Sequence, residues 1–161
     1  MRKMIQKGGV LALLLASLAA AAQGPVDTDI ERQGLHSHAV IDKPYKLQAS
    51  PLGSGVLPPA IAKQHGIDAA PDRGILNVVV LKEQDGQQVT VPADITAITI
   101  NLLGQTHPIE MREVVANERI SYIGSFAFEP HGTLRFVVNA LPRGSIDPIA
   151  LEFEDSFVPL R

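Results

Sequence analysis

Cysteine is missing from this sequence altogether, and its absence excludes several kinds of chemistry at once. Without a thiol there is no cysteine nucleophile, no thiol–disulfide exchange, no disulfide framework and no thiolate metal site. Signatures of other catalysts are lacking too. Gly53-Ser54-Gly55 has neither the outer glycines nor the strand-to-helix setting of a nucleophile elbow, and Ser-x-x-Lys and His-Glu-x-x-His do not occur. Nor is there a glycine-rich phosphate loop. Beyond residue 22 no apolar run approaches the roughly 20 residues that a membrane-spanning helix needs. The expectation is a protein that is not an enzyme, carries no cofactor and has no stable membrane span.

What is present begins with an export signal. Arg2, Lys3 and Lys7 form a positive n-region, and Val10 to Ala22 carries no charge, with Leu11, Leu13, Leu14, Leu15 and Leu18 as its apolar stretch. Ala20-Ala21-Ala22 supplies the small residues a signal peptidase requires, so cleavage is expected after Ala22 with release to the periplasm. No cysteine follows for lipid attachment. The cleaved chain would keep 11 of the 14 Lys and Arg residues and all 17 Asp and Glu, a formal charge of −6 against −3 for the whole sequence. An acidic domain without a basic stripe is unsuited to nucleic acid or to an anionic lipid surface. The remaining length, about 139 residues, is that of one domain able to bury a core without staples.

Residues 23–43 are polar and aperiodic and read as a flexible leader. The domain is expected over 44–161. Tyr45 to Ala49 alternates as a first strand, Pro51 to Gly55 reads as turn, and Pro58 to Gly66 as one short helix, with proline in its first turn and Gly66 as its C-terminal cap. All later signals are β: Ile75–Leu81, Val89–Val91, Ile95–Ile100, His107–Val115, Ile120–Phe128, Thr133–Ala140 and Ile149–Phe157. They are separated by turn material such as Asp85-Gly86 and Leu141-Pro142-Arg143-Gly144-Ser145. Strands at this spacing predict a mostly β, antiparallel sandwich or barrel. Leu134, Phe136 and Val138 alternate with Arg135 and Asn139, and Ile149, Leu151 and Phe153 with Glu152 and Glu154. Burying the charged sets would be costly, so the apolar sets should form the core with Leu76, Val78, Val80, Ile98, Phe126 and Phe128.

Several of these segments carry a resemblance. Asn101-Leu102-Leu103-Gly104-Gln105 resembles a signature of an uncharacterised family of exported bacterial proteins, domain of unknown function 4426. Gly66-Ile67, Arg73-Gly74-Ile75-Leu76-Asn77-Val78, Arg112-Glu113-Val114, Leu134-Arg135-Phe136 and Leu151-Glu152-Phe153 with Phe157 follow in the same order. The similarity spans Tyr45 to Phe157. His65 departs from it, standing where an aromatic residue is usual, and the leader has no counterpart. The resemblance implies an immunoglobulin-like sandwich and supplies no site residues.

Candidate sites therefore rest on the residues themselves. His36 and His38 lie at i and i+2, on one side of an extended chain, a spacing that suits copper or zinc. Two imidazoles fall short of the usual ligand set, and a third ligand such as His65, His107 or His131 would have to arrive by folding. Asp27-Thr28-Asp29 lacks the further oxygen ligands of a calcium loop. Asn101, Gly104 and Gln105 form a polar loop that either faces a partner or simply fixes a turn, Asn101 bonding its own backbone and Gly104 taking a positive φ. Arg73 suits a carboxylate ligand or a surface pair with Glu113. Two functions follow: a non-enzymatic module binding an unknown periplasmic protein, or a metal or small-ligand carrier using His36 and His38.

Overall fold

A computed structural model describes residues 36–56, 59–64, 66, 67 and 70–158. The signal, the leader up to Leu35, Asp27 to Asp29 and His65 lie outside the described residues. Among the described residues ten strands form two antiparallel sheets. One contains β1 (His38–Asp42), β2 (Tyr45–Gly53), β3 (Arg73–Gln84), β8 (Arg119–Ala127) and β7 (Arg112–Ala116) in that order, with β4 (Gln87–Thr90) paired to β3. The other runs β10 (Ile149–Ser156), β9 (Thr133–Pro142), β5 (Ala93–Ile100), β6 (Thr106–Ile109). Of the antiparallel sandwich or barrel expected from the strand spacing, the fold is the sandwich.

Between the sheets lies the main core. Leu47, Leu76, Val78, Val80, Phe136 and Val138 are fully buried, and Phe126, Phe128, Phe153 and Phe157 complete an aromatic cluster. Arg135 and Glu152 point outward as their alternation requires and pair at 3.2 Å across the exposed face. A smaller cluster, Leu52, Ala62, Ile67, Ile75 and Ile123, packs the helix α1 (Pro59–Gln64) on the opposite face of the first sheet. That helix ends as expected: Gly66 has φ +63°, and Ile67 N–H closes on the Ala62 carbonyl at 2.8 Å.

Four expectations are corrected. Ile98 is not core. β5 turns Ala93, Ala97 and Thr99 inward instead. Ala97 and Thr99 stand opposite Val138 and Phe136, where the bulky partners already fill the space and small residues complete the packing. Pro51 and Leu52 belong to β2 rather than to a turn. β1 reaches only as far as Ala49, so a residue without an N–H sits where that side of β2 has no paired strand among the described residues. The stretch read as leader to Lys43 contains β1, whose five residues pair with β2. Finally, His107–Val115 is not one strand. It divides into β6 and β7, which belong to different sheets, and Glu110-Met111 crosses the gap between them.

Candidate functional site

The crossing fixes the shape of one end of the sandwich. It passes over Gly124, where a side chain would meet Ile109, the Glu110 carbonyl and Met111 within 2.5–2.7 Å. Past Gly124 the sheets part, and a cleft of about 580 Å³ opens between β6, the end of β8 and the start of β9, a volume typical of ligand sites. Phe126, Phe128 and Leu134 form its apolar floor. Asp72, Arg73 and Glu129 stand at its exposed mouth, and His107 and Pro108 line it along β6.

The β5–β6 turn overhangs this cleft. Asn101 builds it: Oδ1 accepts the N–H groups of Leu103 at 3.0 Å and Gln105 at 2.9 Å, and Nδ2 donates to Gln105 Oε1 at 2.7 Å. Gly104 takes φ +79° and donates its N–H to the Asn101 carbonyl. The turn-forming role of Asn101 and Gly104 is thus present, and the turn presents Leu102 and Leu103, each 83% exposed. Asn101, Gln105 and Arg73, separate in sequence, line one cleft; Gly104 shapes the turn without lining it. Glu113 is not the partner of Arg73. It accepts a hydrogen bond from the Tyr122 hydroxyl at 3.0 Å, while that oxygen accepts the Ala93 N–H at 2.8 Å and so ties the two sheets. Burial first, and then the Glu113 carboxylate, push the Tyr122 phenol above its ordinary pKa.

At the side where β1 meets β10, His36 and His38 come together with Asp155, which the sequence reading missed. Its signal was present: the inward alternation Ile149, Leu151, Phe153 continues to position 155, so β10 points a carboxylate inward. Asp155 is buried and accepts from His36 Nδ1 at 2.9 and 3.1 Å and from the Ser156 N–H at 2.9 Å. His38 Nε2 lies 3.6 Å from Asp155, without a hydrogen bond, and its ring stacks on Phe153 at 4.0 Å. Phe153 stacks in turn on Phe136 at 5.0 Å. The ensemble is a clamp holding the first strand to the last. Among the described residues no group of three or more His, Asp or Glu is arranged to hold a metal ion, and the carboxylate is already committed to His36 and Ser156. His107 lies in the cleft and His131 in the β8–β9 turn, where its N–H bonds the Phe157 carbonyl.

Residues 42–159 match the family described as domain of unknown function (DUF4426). The chain belongs to that family. A DUF4426 family protein from Pseudomonas aeruginosa superposes with a TM-score of 0.66 at 22% identity, over 78% of this chain and 97% of that one. FetP from uropathogenic Escherichia coli strain F11, expressed in the periplasm, superposes with a TM-score of 0.59 at 15% identity, over 79% and 97%. A copper-bound variant of FetP gives 0.57 at 15% identity, over 78% and 97%. At these identities the likeness concerns the DUF4426 fold. No curated protein matches the sequence. Among the described residues no helix is long and apolar enough to cross a membrane.

Proposed function

We propose that this DUF4426 protein is a non-enzymatic binding module of the bacterial periplasm, and that the cleft under the Asn101–Gln105 turn is where it holds a partner. One observation carries the reading: a turn pinned by its own asparagine holds two leucines in solvent at the lip of an apolar-floored cleft. Large exposed apolar side chains beside a formed cavity are what a contact surface requires. Periplasmic location draws support from the export signal and from the periplasmic expression of FetP, a protein of similar fold.

A photo-crosslinking residue at position 103, with one at the likewise exposed Ile146 as control, tests the seat in intact cells. Discrete adducts at 103 that are absent at 146 are expected; the same pattern at both positions would refute it. Osmotic-shock fractionation with N-terminal sequencing tests the address, with Gln23 expected as the first residue of the released protein. Metal carriage at His36 and His38 is the second reading. Asp155 stands beside them as a third donor and a protein of similar fold was solved with copper, but the donors do not fit a metal as arranged. A rise in melting temperature with Cu²⁺ or Zn²⁺ that His38→Ala abolishes would move that reading to first place.

A further inference from the structure

The cleft has a wall of unpaired backbone. β7 pairs with β8 only as far as Ile123, whereas β3 continues along the other side of β8 to Ala127. Which groups face the free side follows from two bonds. Phe128 N–H donates to the Asp72 carbonyl, and Ile120 N–H to Thr90 Oγ1, both toward β3 and β4. In an antiparallel strand alternate residues direct their N–H and C=O to opposite sides. Even-numbered residues of β8 therefore face β3, and odd-numbered ones face the side that β7 occupies. There Ile123 has Arg112, Ser121 has Val114 and Arg119 has Ala116. Ser125 and Ala127 have no strand opposite them on that side among the described residues; both are exposed and both line the cleft. Across the cleft, the outer edge of β6 is also without a paired strand among the described residues, but Pro108 removes one of its donors.

We propose that the cleft binds an extended peptide segment by strand addition to Ser125–Ala127, in the line that β7 vacates, and that the segment is apolar with lysine or arginine at its end. This rests on the binding-module reading above and specifies its partner. Main-chain pairing supplies the attachment and alternate side chains enter the pocket; Phe126, Phe128 and Leu134 receive the apolar ones. The charge follows from the mouth, where Asp72 and Glu129 outnumber Arg73, on a chain of net charge −3, which steers cations toward it. A fatty acid or other lipid would leave the Ser125 and Ala127 amides unpaired and meet two carboxylates.

The probe is an acetylated, amidated heptapeptide of alternating valine and threonine flanked by lysines, titrated into the whole protein and followed by NMR. Amide exchange at Ser125 and Ala127 slows, whereas N-methylation of the peptide's valines and threonines, which blocks the main-chain donors of both phases, abolishes the effect. Glu129→Gln weakens binding about two- to fivefold and Arg73→Gln strengthens it by a similar factor, the size of a rim ion pair. Opposite signs at neighbouring residues are not expected of a merely structural disturbance. If resonances of Leu102, Leu103 and Phe126 move but the two amides exchange as before, or N-methylation is harmless, strand addition is refuted while the cleft remains a binding site. Decanoate displacing the peptide without amide protection would assign the cleft to lipid and also refute it. No response anywhere in the cleft removes both readings.

Discussion

Gly74→Ala is the sharpest test of the packing that underlies the cleft. A Cβ at position 74 would stand 2.3 Å from Cζ of Phe126 and 2.6 and 2.9 Å from its two ε carbons. Carbon atoms pack at about 3.5–4.0 Å, so the ring has to retreat by at least about 1.2 Å. Behind it, Phe136 stands edge-on at 5.0 Å, Phe157 at 5.2 Å and Phe128 at 6.2 Å. The cleft that Phe126 lines offers space. Overpacking of this kind costs about 1–3 kcal/mol, and a loss of 2 kcal/mol lowers the melting temperature of a domain this size by roughly 6–12 °C. Urea denaturation of Gly74→Ala should show the loss as a lower midpoint with an unchanged slope. Gly74→Ala with Phe126→Leu should be more stable than the two single effects added together, because the smaller side chain relieves the clash. A melt of Gly74→Ala within error of the parent would refute the argument, as would strict additivity in the double variant.

Asp155→Ala should cost about 1–3 kcal/mol through the partners it strands, with faster hydrogen exchange confined to β1 and the end of β10; Asp155→Asn should restore part of it. Tyr122→Phe leaves the buried Ala93 N–H without an acceptor and should cost a similar amount, read from the denaturation midpoint. Because the Tyr122 phenol is raised in the folded state, its contribution is constant below pH 10. It is lost as pH climbs from there through the folded value, the unfolded chain ionising first. Absorbance titration of Tyr122 in a Tyr45→Phe background should show ionisation above the ordinary range, and Tyr122→Phe should remove the corresponding fall in stability. Asn101→Ala should loosen the β5–β6 turn at a cost of about 0.5–1.5 kcal/mol, visible as faster amide exchange at Leu103 and Gln105.

The sheets were legible because one face of each is buried and the side-chain period is two. β9 and β10 show it most plainly: reversing either would bury Arg135 or Glu152. β5 was not legible by the same rule, since Ile95-Thr96-Ala97-Ile98-Thr99-Ile100 has apolar or small residues in both phases. The facing Phe136 and Val138, distant in sequence, decide its register. The division of β6 from β7 was hidden for a similar reason, because only the Glu110-Met111 crossing over Gly124 reveals that one apparent strand serves two sheets. Arg73, Asn101 and Gln105 were singled out as separate residues, and nothing in their spacing says that they share a cleft. Asp155 could have been found by following the alternation of β10 one residue pair further.

The crossing at Gly124 also works as a ruler. The length of β8 left uncovered equals the distance from that glycine to the end of the strand, whatever the sequence around it. Lengthening the β6–β7 connection by two residues would let β7 zip further along and seal the slot; shortening it would expose more. The size of the recognised segment is therefore written in the position of a single connection, and it can be retuned without touching any residue of the apolar floor.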